Sequence, residues 1–299
     1  MLLRIVDAFG QIHTASASDN SDLFAASRVS AGALGIITSV TLQTVPLWKM
    51  KKTSFDYSLS KLLVDLPELL EEYERLQWSW IPYTDNATVV IREDVEWEAP
   101  IEPSGSDGGC WSESQPTDPS CTDVSYKTLT DSKRHYEQRS LYTEMEMFIP
   151  VENSIDAVRD FIAFMDTVRP LHDESVTLSA MLRYVKADEI MISPMEGRDT
   201  AVMSIIVLGG RDSTADQTEF KLFAGGLQSL TEAKYNGRPH WGKVNYPVLA
   251  PAGGSYADYL AGAYPRWGDF HALLGKMDPS GLFSNAYLKE RGLTAMSTA

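Results

Sequence analysis

The densest chemistry in this chain lies in five consecutive residues, Pro239-His240-Trp241-Gly242-Lys243. They combine a titratable imidazole, a large aromatic ring and an ammonium with a glycine that admits close backbone approach and a proline that fixes φ. Such a cluster suits the wall of a pocket for a planar ligand. A strand with one core aromatic, one hydrogen-bonded imidazole and a solvated lysine accounts for the same residues without a ligand. The second candidate is a pair of carboxylates. Strict alternation over residues 141–150 puts Tyr142, Glu144, Glu146 and Phe148 on one strand face and Thr143, Met145, Met147 and Ile149 on the other. Glu144 and Glu146 are then either solvated or gathered at a pocket. Arg183, flanked by apolar residues, is expected buried and paired, because an unpaired buried guanidinium is costly.

The elements that must position these groups alternate irregularly along the chain. Residues 2–6 and 12–14 read as a hairpin around Phe9-Gly10-Gln11, and the Asp19-Asn20-Ser21-Asp22 cluster starts a short helix. Small residues and glycines at 30–35 lead into a β-branched strand ending before Pro46. Gly32 and Gly35 there either free backbone amides for a ligand or make a tight turn into a buried strand. Residues 51–59 read as a strand, 62–76 as an amphipathic helix and 87–92 as a strand. A polar stretch, 94–121, has the length of an insertion. Beyond it come strands at 141–150, 175–185 and 200–208 and helices at 154–168, 219–235 and 269–276. With no internal repeat, this order suits an α+β fold better than regular βαβ alternation. Met145, Met147, Met181, Met191 and Met195 read as core filling.

Composition excludes several classes of function. The 299 residues carry a net charge of −15, which repels nucleic acid and anionic membranes. No apolar run reaches the length of about eighteen residues needed to span a bilayer, the first seven residues are too soon interrupted by charge for a signal peptide, and no metal-ligand set stands out. Cys110 and Cys121 flank a polar segment. They suit either one disulfide in an oxidising compartment or two inert thiols in the cytosol.

Three widely separated segments then carry a resemblance: Gly32-Ala33-Leu34-Gly35-Ile36-Ile37-Thr38, the Pro-His-Trp-Gly-Lys run at 239–243, and Asp-Pro-Ser-Gly-Leu-Phe-Ser-Asn-Ala-Tyr-Leu at 278–288. In this order, with Glu-Met-Glu-Met-Phe-Ile-Pro at 144–150 and Leu-Arg-Tyr-Val-Lys-Ala-Asp at 182–188, the chain resembles the aldonolactone oxidases. That family comprises the L-gulonolactone, L-galactonolactone and D-arabinono-1,4-lactone oxidases with the related alditol oxidases, within the vanillyl-alcohol-oxidase type of FAD flavoproteins. The resemblance implies that residues 1–47 are the C-terminal part of a PCMH-type FAD-binding domain. Residues 48–299 would be the α+β substrate (cap) domain, a mainly antiparallel sheet flanked by helices. Nothing upstream of Gly32 matches the family's pyrophosphate loop, and His13 does not match its flavin-attachment histidine. The chain therefore reads as an N-terminally truncated member, with little FAD binding expected of it alone. Any targeting segment would lie upstream, which leaves the compartment open, a secretory or membrane-associated organelle included.

Residue by residue, the resemblance implies that Gly32, Ala33, Leu34, Gly35, Ile36, Ile37 and Thr38 lie along the FAD with their backbone. Asn285 falls near the flavin cavity or caps the terminal turn. Lys243 would sit beside the flavin ring and substrate, His240 would line the same cavity and Trp241 would pack. Arg183 matches an arginine that in many members follows a glutamate two positions earlier; here that position is Met181, so Glu144 or Glu146 is expected to supply a carboxylate. The implied reaction is oxidation of a sugar 1,4-lactone of the gulonolactone or arabinonolactone type, with hydride passing to flavin N5 and oxygen or cytochrome c reoxidising the flavin. A non-catalytic remnant that binds a sugar acid or a protein partner is the alternative.

Overall fold

A computed structural model of the protein describes residues 1–102, 110, 120–129, 142–172, 177–208, 214–247 and 254–295. Strands β1 (Leu2–Val6), β2 (Ile12–Ser16) and β3 (Ile36–Thr41) form an antiparallel sheet in the order β2-β1-β3, with α1 (Ser21–Ser27) preceding β3. The hairpin is held by Asp7, whose carboxylate accepts from the amides of Phe9 and Gln11 and lies 2.7 Å from His13 Nε2. Gly35 is required by its surroundings. Its φ is +137°, and a Cβ there would lie 2.3 Å from the Val6 carbonyl oxygen. The strand it leads into is exposed along its whole length, so of the two readings of Gly32 and Gly35 the turn into a buried strand does not hold. β3 has a partner on one edge only, and Ile36, Ile37 and Val40 remain open to solvent.

The larger unit is an eight-stranded antiparallel sheet. Its strands are β4 (Lys49–Ser58), β5 (Leu76–Trp80), β6 (Asn86–Val95), β7 (Ser120–Val124), β8 (Tyr142–Pro150), β9 (Thr177–Val185), β10 (Thr200–Leu208) and β11 (Arg238–Pro239), in the order β11-β8-β10-β9-β5-β6-β4-β7. One face is apolar, with Met145, Met147, Ile149, Ala180, Leu182, Met203, Ile205 and Trp78 packed under helices. Those helices are α2 (Leu59–Glu72), α4 (Ser154–Val168) and α5 (Thr214–Tyr235); the short α3 (Ser125–Leu129) follows β7. The period-two alternation forces the opposite residues, Glu144, Glu146, Ser204, Met181, Arg183, Gln77 and Ser79, onto the other face. Burial of the first set therefore builds the second into one polar surface.

Several boundaries differ from expectation for local reasons. The helix expected to reach Leu76 ends at Glu72, because Leu76, Trp78 and Trp80 alternate inward as β5. The polar stretch is shorter than 94–121 at both ends, since β6 runs to Val95 and β7 begins at Ser120; most of its interior, 103–109 and 111–119, lies outside the described residues. Cys110 and Cys121 form a disulfide with Cα atoms 5.4 Å apart. Met181 is only half buried and sits on the polar face rather than in the core.

A second core surrounds the N-terminal sheet. It joins Leu3, Ile5, Leu23, Phe24 and Leu34 to Met191 and Ile192 and to the C-terminal helices α6 (Tyr256–Ala263), α7 (Trp267–Met277) and α8 (Ala286–Glu290). The two cores are linked by a buried polar knot between α5 and α6. Glu232 Oε1 accepts from Tyr256 Oη and from Gln228 Nε2, each at 2.9 Å, and the amide of Tyr246 donates to Gln228 Oε1 at 2.7 Å. Burial pushes the Glu232 carboxyl from the ordinary 4.5 up to about 8, against the pull of those two hydrogen bonds. The folded protein thus keeps a proton that the unfolded chain releases between these two values. Stability is therefore greatest below the lower value and falls as pH rises through the upper one. Glu232→Gln is expected to abolish most of that fall, on the order of a few kcal/mol, measured as urea midpoints at about pH 5 and about pH 8.

Candidate active site

The polar face is completed by a segment that is zipped onto its edge. Arg238 and Pro239 pair with Phe148 and Met147, the His240 amide donates to the Glu146 carbonyl at 3.1 Å, and the Val244 amide donates to the Glu144 carbonyl at 3.3 Å. Pro239 fits here because an edge strand can spare an amide. The register brings Lys243 beside Glu144 and His240 beside Glu146. Between these contacts the chain turns back on itself: the Lys243 amide donates to the His240 carbonyl at 3.2 Å, and the Gly242 amide donates to His240 Nδ1 at 3.0 Å. A Cβ at Gly242 would come within 3.3 Å of the imidazole, so glycine lets the ring fold over the turn.

Five chemically active side chains converge there. Glu144 and Glu146 are 9% and 2% exposed, so neither is solvated. The Lys243 ammonium forms an ion pair with Glu144 and lies 5.9 Å from the centre of the Tyr142 ring. The Arg183 guanidinium forms one with Glu146 Oε1, which also accepts from Ser204 Oγ at 3.4 Å. His240 Nε2 stands 3.8 Å from Glu146 Oε2, an oxygen that is buried and has no hydrogen-bond partner. Arg183 is paired as expected, yet its side chain is 43% exposed, so its outer face is open to the site.

The electrostatics follow from this crowding. Burial raises the Glu144 carboxyl above its usual range; the Lys243 contact opposes that shift and the neighbouring Glu146 adds to it. Burial alone would lower the Lys243 ammonium, but Glu144 and Glu146 outweigh it and hold the group above its ordinary value, firmly charged. His240 is lowered by burial and by the cations Lys243 and Arg183, so it is a neutral ring near neutral pH. Because Nδ1 accepts from the Gly242 amide, the proton of that neutral ring is on Nε2.

Trp241 packs, as its place in the motif suggests. It stacks on Tyr264 with ring centres 5.6 Å apart and donates to the Ile192 carbonyl at 2.7 Å. Asn285 caps α8, its side-chain oxygen accepting from the Leu288 amide at 3.0 Å. Of the glycine-turn segment, Ala33, Leu34 and Gly35 are buried, and the Thr38 hydroxyl donates back to the Arg4 carbonyl at 3.4 Å. Of that segment, Gly32, Ile36, Ile37 and Thr38 are exposed.

Residues to which the sequence assigns no such role hold the loop in place. Tyr287 donates to the Trp241 carbonyl, and Asn245 Nδ2 donates to the Lys243 carbonyl at 3.2 Å while its Oδ1 accepts from Arg291 Nε at 2.9 Å. At the other end, buried Arg238 donates to the carbonyls of Ala263, Pro194 and Glu196 at 2.8–3.2 Å. Tyr287 lay within the recognised tail, but its hydroxyl contact is with a backbone atom 46 residues earlier, which no pattern reveals. Ser204 could have been found only from the pairing of β10 with β8.

The α+β architecture has a solved counterpart: the chain superposes on the crystal structure of a cholesterol oxidase from B. sterolicum with a TM-score of 0.71 at 14% identity, over 97% of this chain and 68% of that one. The family model for D-arabinono-1,4-lactone oxidase matches residues 109–291, and the chain belongs to that family. It is 29% identical to an L-gulono-1,4-lactone dehydrogenase of Mycobacterium tuberculosis and 25% identical to the L-gulonolactone oxidase of Mus musculus, in each case over 96% of this chain and 67% of the relative. Among the described residues no cluster of metal-ligating side chains occurs, and no helix is long and apolar enough to cross a membrane.

The Arg183–Glu146 pair yields a direct expectation. Arg183→Met leaves a buried carboxylate without its cation and should cost on the order of 2 kcal/mol, less than a fully buried pair because the guanidinium is 43% exposed. Adding Glu146→Gln should recover part of that loss. Urea denaturation of the two variants reads both effects; an unchanged midpoint in Arg183→Met means the pair does not compensate charge.

Proposed function

We propose that this chain carries the substrate side of an FAD-dependent aldonolactone oxidase site, acting on a sugar 1,4-lactone of the L-gulono- or D-arabinono- type. The observation that carries the reading is the convergence of Lys243, Arg183, His240, Glu144 and Glu146 on one sheet face. A polyhydroxylated lactone presents hydroxyls and a carbonyl, and this donor set offers a fork of guanidinium donors, an imidazole N–H, an ammonium and carboxylate acceptors. The names of the relatives support the same substrate class.

The residues also fit a flavin. An ammonium held charged by two carboxylates supplies the positive charge that favours the anionic N1–C2=O side of a reduced ring, and the exposed apolar strand β3 offers surface on which a planar group can lie. When bound, FAD would accept the hydride at N5, with oxygen or cytochrome c as the final acceptor. The chain's own residues would orient the carbinol: Arg183 and His240 donate to substrate oxygens, and the Lys243 ammonium polarises the oxygen at the reacting carbon. The disulfide between Cys110 and Cys121 supports an oxidising compartment as the place of action.

In protein extended by the FAD-binding part expected upstream, with saturating FAD, the flavin absorbance should bleach anaerobically on addition of L-gulono-1,4-lactone or D-arabinono-1,4-lactone. Lys243→Ala should slow bleaching about a hundredfold while shifting the melting temperature little. Wild-type protein that holds FAD and stays oxidised with both lactones contradicts the reading.

A further inference from the structure

Oxidation of a carbinol releases two things: the C–H electron pair leaves as hydride, and the O–H proton must go to a base. Most of the polar groups at this site cannot be that base. Arg183 has no acceptor, and Lys243 is an ammonium with no lone pair, so it takes a proton only after giving one up and cannot be the final base. His240 accepts from the Gly242 amide at Nδ1 and carries its proton at Nε2, so both ring positions are committed and the ring is a donor. Ser204 spends its hydroxyl on Glu146. Only the two carboxylates remain.

They differ in access. Glu146 Oε1 is held by Arg183 and Ser204, and its Oε2 is buried against the His240 ring. Glu144 is also buried, but its partner Lys243 is 27% exposed and bridges it to the open face. We propose that Glu144 is the final acceptor of the substrate hydroxyl proton, that Lys243 relays it, and that Glu146 is the neighbour with which Glu144 shares the acquired proton. The inference rests on the oxidase reading above.

The step balances. An N–H bond of Lys243 breaks and its proton bonds to a Glu144 carboxylate oxygen, which leaves Nζ a neutral amine with a lone pair. That lone pair then takes the substrate hydroxyl proton as the O–H bond breaks. Lys243 ends as it began, Glu144 becomes neutral, and the electron pair of the carbinol C–H bond would leave as hydride to a bound flavin. Two carboxylates two residues apart on one strand face repel each other when both are ionised, and one added proton removes that repulsion. The groups facing the pair are Lys243 and His240 from the segment along the sheet edge, Arg183 from β9 and Tyr142 from β8 itself.

Two measurements test this. NMR of isotope-labelled glutamate carboxyl carbons in the full chain, between about pH 4 and about pH 9, should show Glu144 titrating above the ordinary carboxylate range. Glu146→Gln should lower that step. An ordinary titration of Glu144 overturns the proposal. In flavin reduction by L-gulono-1,4-lactone, Lys243→Arg keeps the ion pair and the fold but cannot pass a proton. It should lower the rate about a hundredfold with KM changed little, as should Glu144→Gln, with partial rescue in Glu144→Asp. A Lys243→Arg rate within about threefold of wild type overturns the relay and leaves the oxidase reading intact. Wild-type protein that holds FAD and reduces none of it overturns both.

Discussion

Two carboxylates buried side by side on the face of a sheet constrain everything around them. Taking Glu144 and Glu146 out of water is costly unless each meets a cation or a set of donors, and the protein supplies one cation to each, Lys243 and Arg183. The two cations come from parts of the chain about sixty residues apart, so the compensation exists only when the whole sheet has assembled. What remains after compensation is a surface of half-open donors over buried acceptors.

The fold spends its structure on keeping this arrangement in register. Alternation along β8 sends Met145, Met147 and Ile149 into the helical core and leaves the glutamates on the far side, while pairing through β10 to β9 sets Arg183 in reach of Glu146. Lys243 and His240 depend on a different device, the backbone bonds that run residues 238–244 along the edge of β8. That edge is pinned at one end by buried Arg238 and at the other by Asn245, Tyr287 and Arg291. A one-residue slip would carry Lys243 away from Glu144 and leave a buried charge alone. The second core, which binds the N-terminal sheet to the C-terminal helices, holds the same loop from behind through Trp241.

Much of this was legible in the chain. The strict alternation of residues 141–150 identified the face on which Glu144 and Glu146 lie, because period two is a property of the strand itself. The amphipathic stripe of α4 and the limits of β10 were readable for the same reason. What failed depended on partners. The helix expected over 62–76 takes in the first residue of β5 and no strand is expected at Leu76–Trp80, since a short run of Leu and Trp carries apolar periodicity of either kind until its neighbours in the sheet are known. Gly32 and Gly35 leave a turn into a buried strand as one of two readings, and the exposure of the strand that follows is set by what pairs with it. Met181 was assigned to the core with the other methionines, although it faces Ser204 on the polar side, in the same cross-strand row as Glu146. In that row Glu146 lies two strands from the position two residues before Arg183. The sequence left Glu144 and Glu146 equivalent; in the structure Glu146 pairs with Arg183 and Glu144 with Lys243.

The central claim is that the buried carboxylates and their cations form coupled units, not separate surface charges that happen to lie close. A double-mutant cycle on Lys243→Met and Glu144→Gln, read by urea denaturation of the full chain, tests this most directly. The account predicts a coupling of at least about 1 kcal/mol between the two sites, with the double variant more stable than the sum of the single losses allows. Effects that add to within about 0.3 kcal/mol would contradict it.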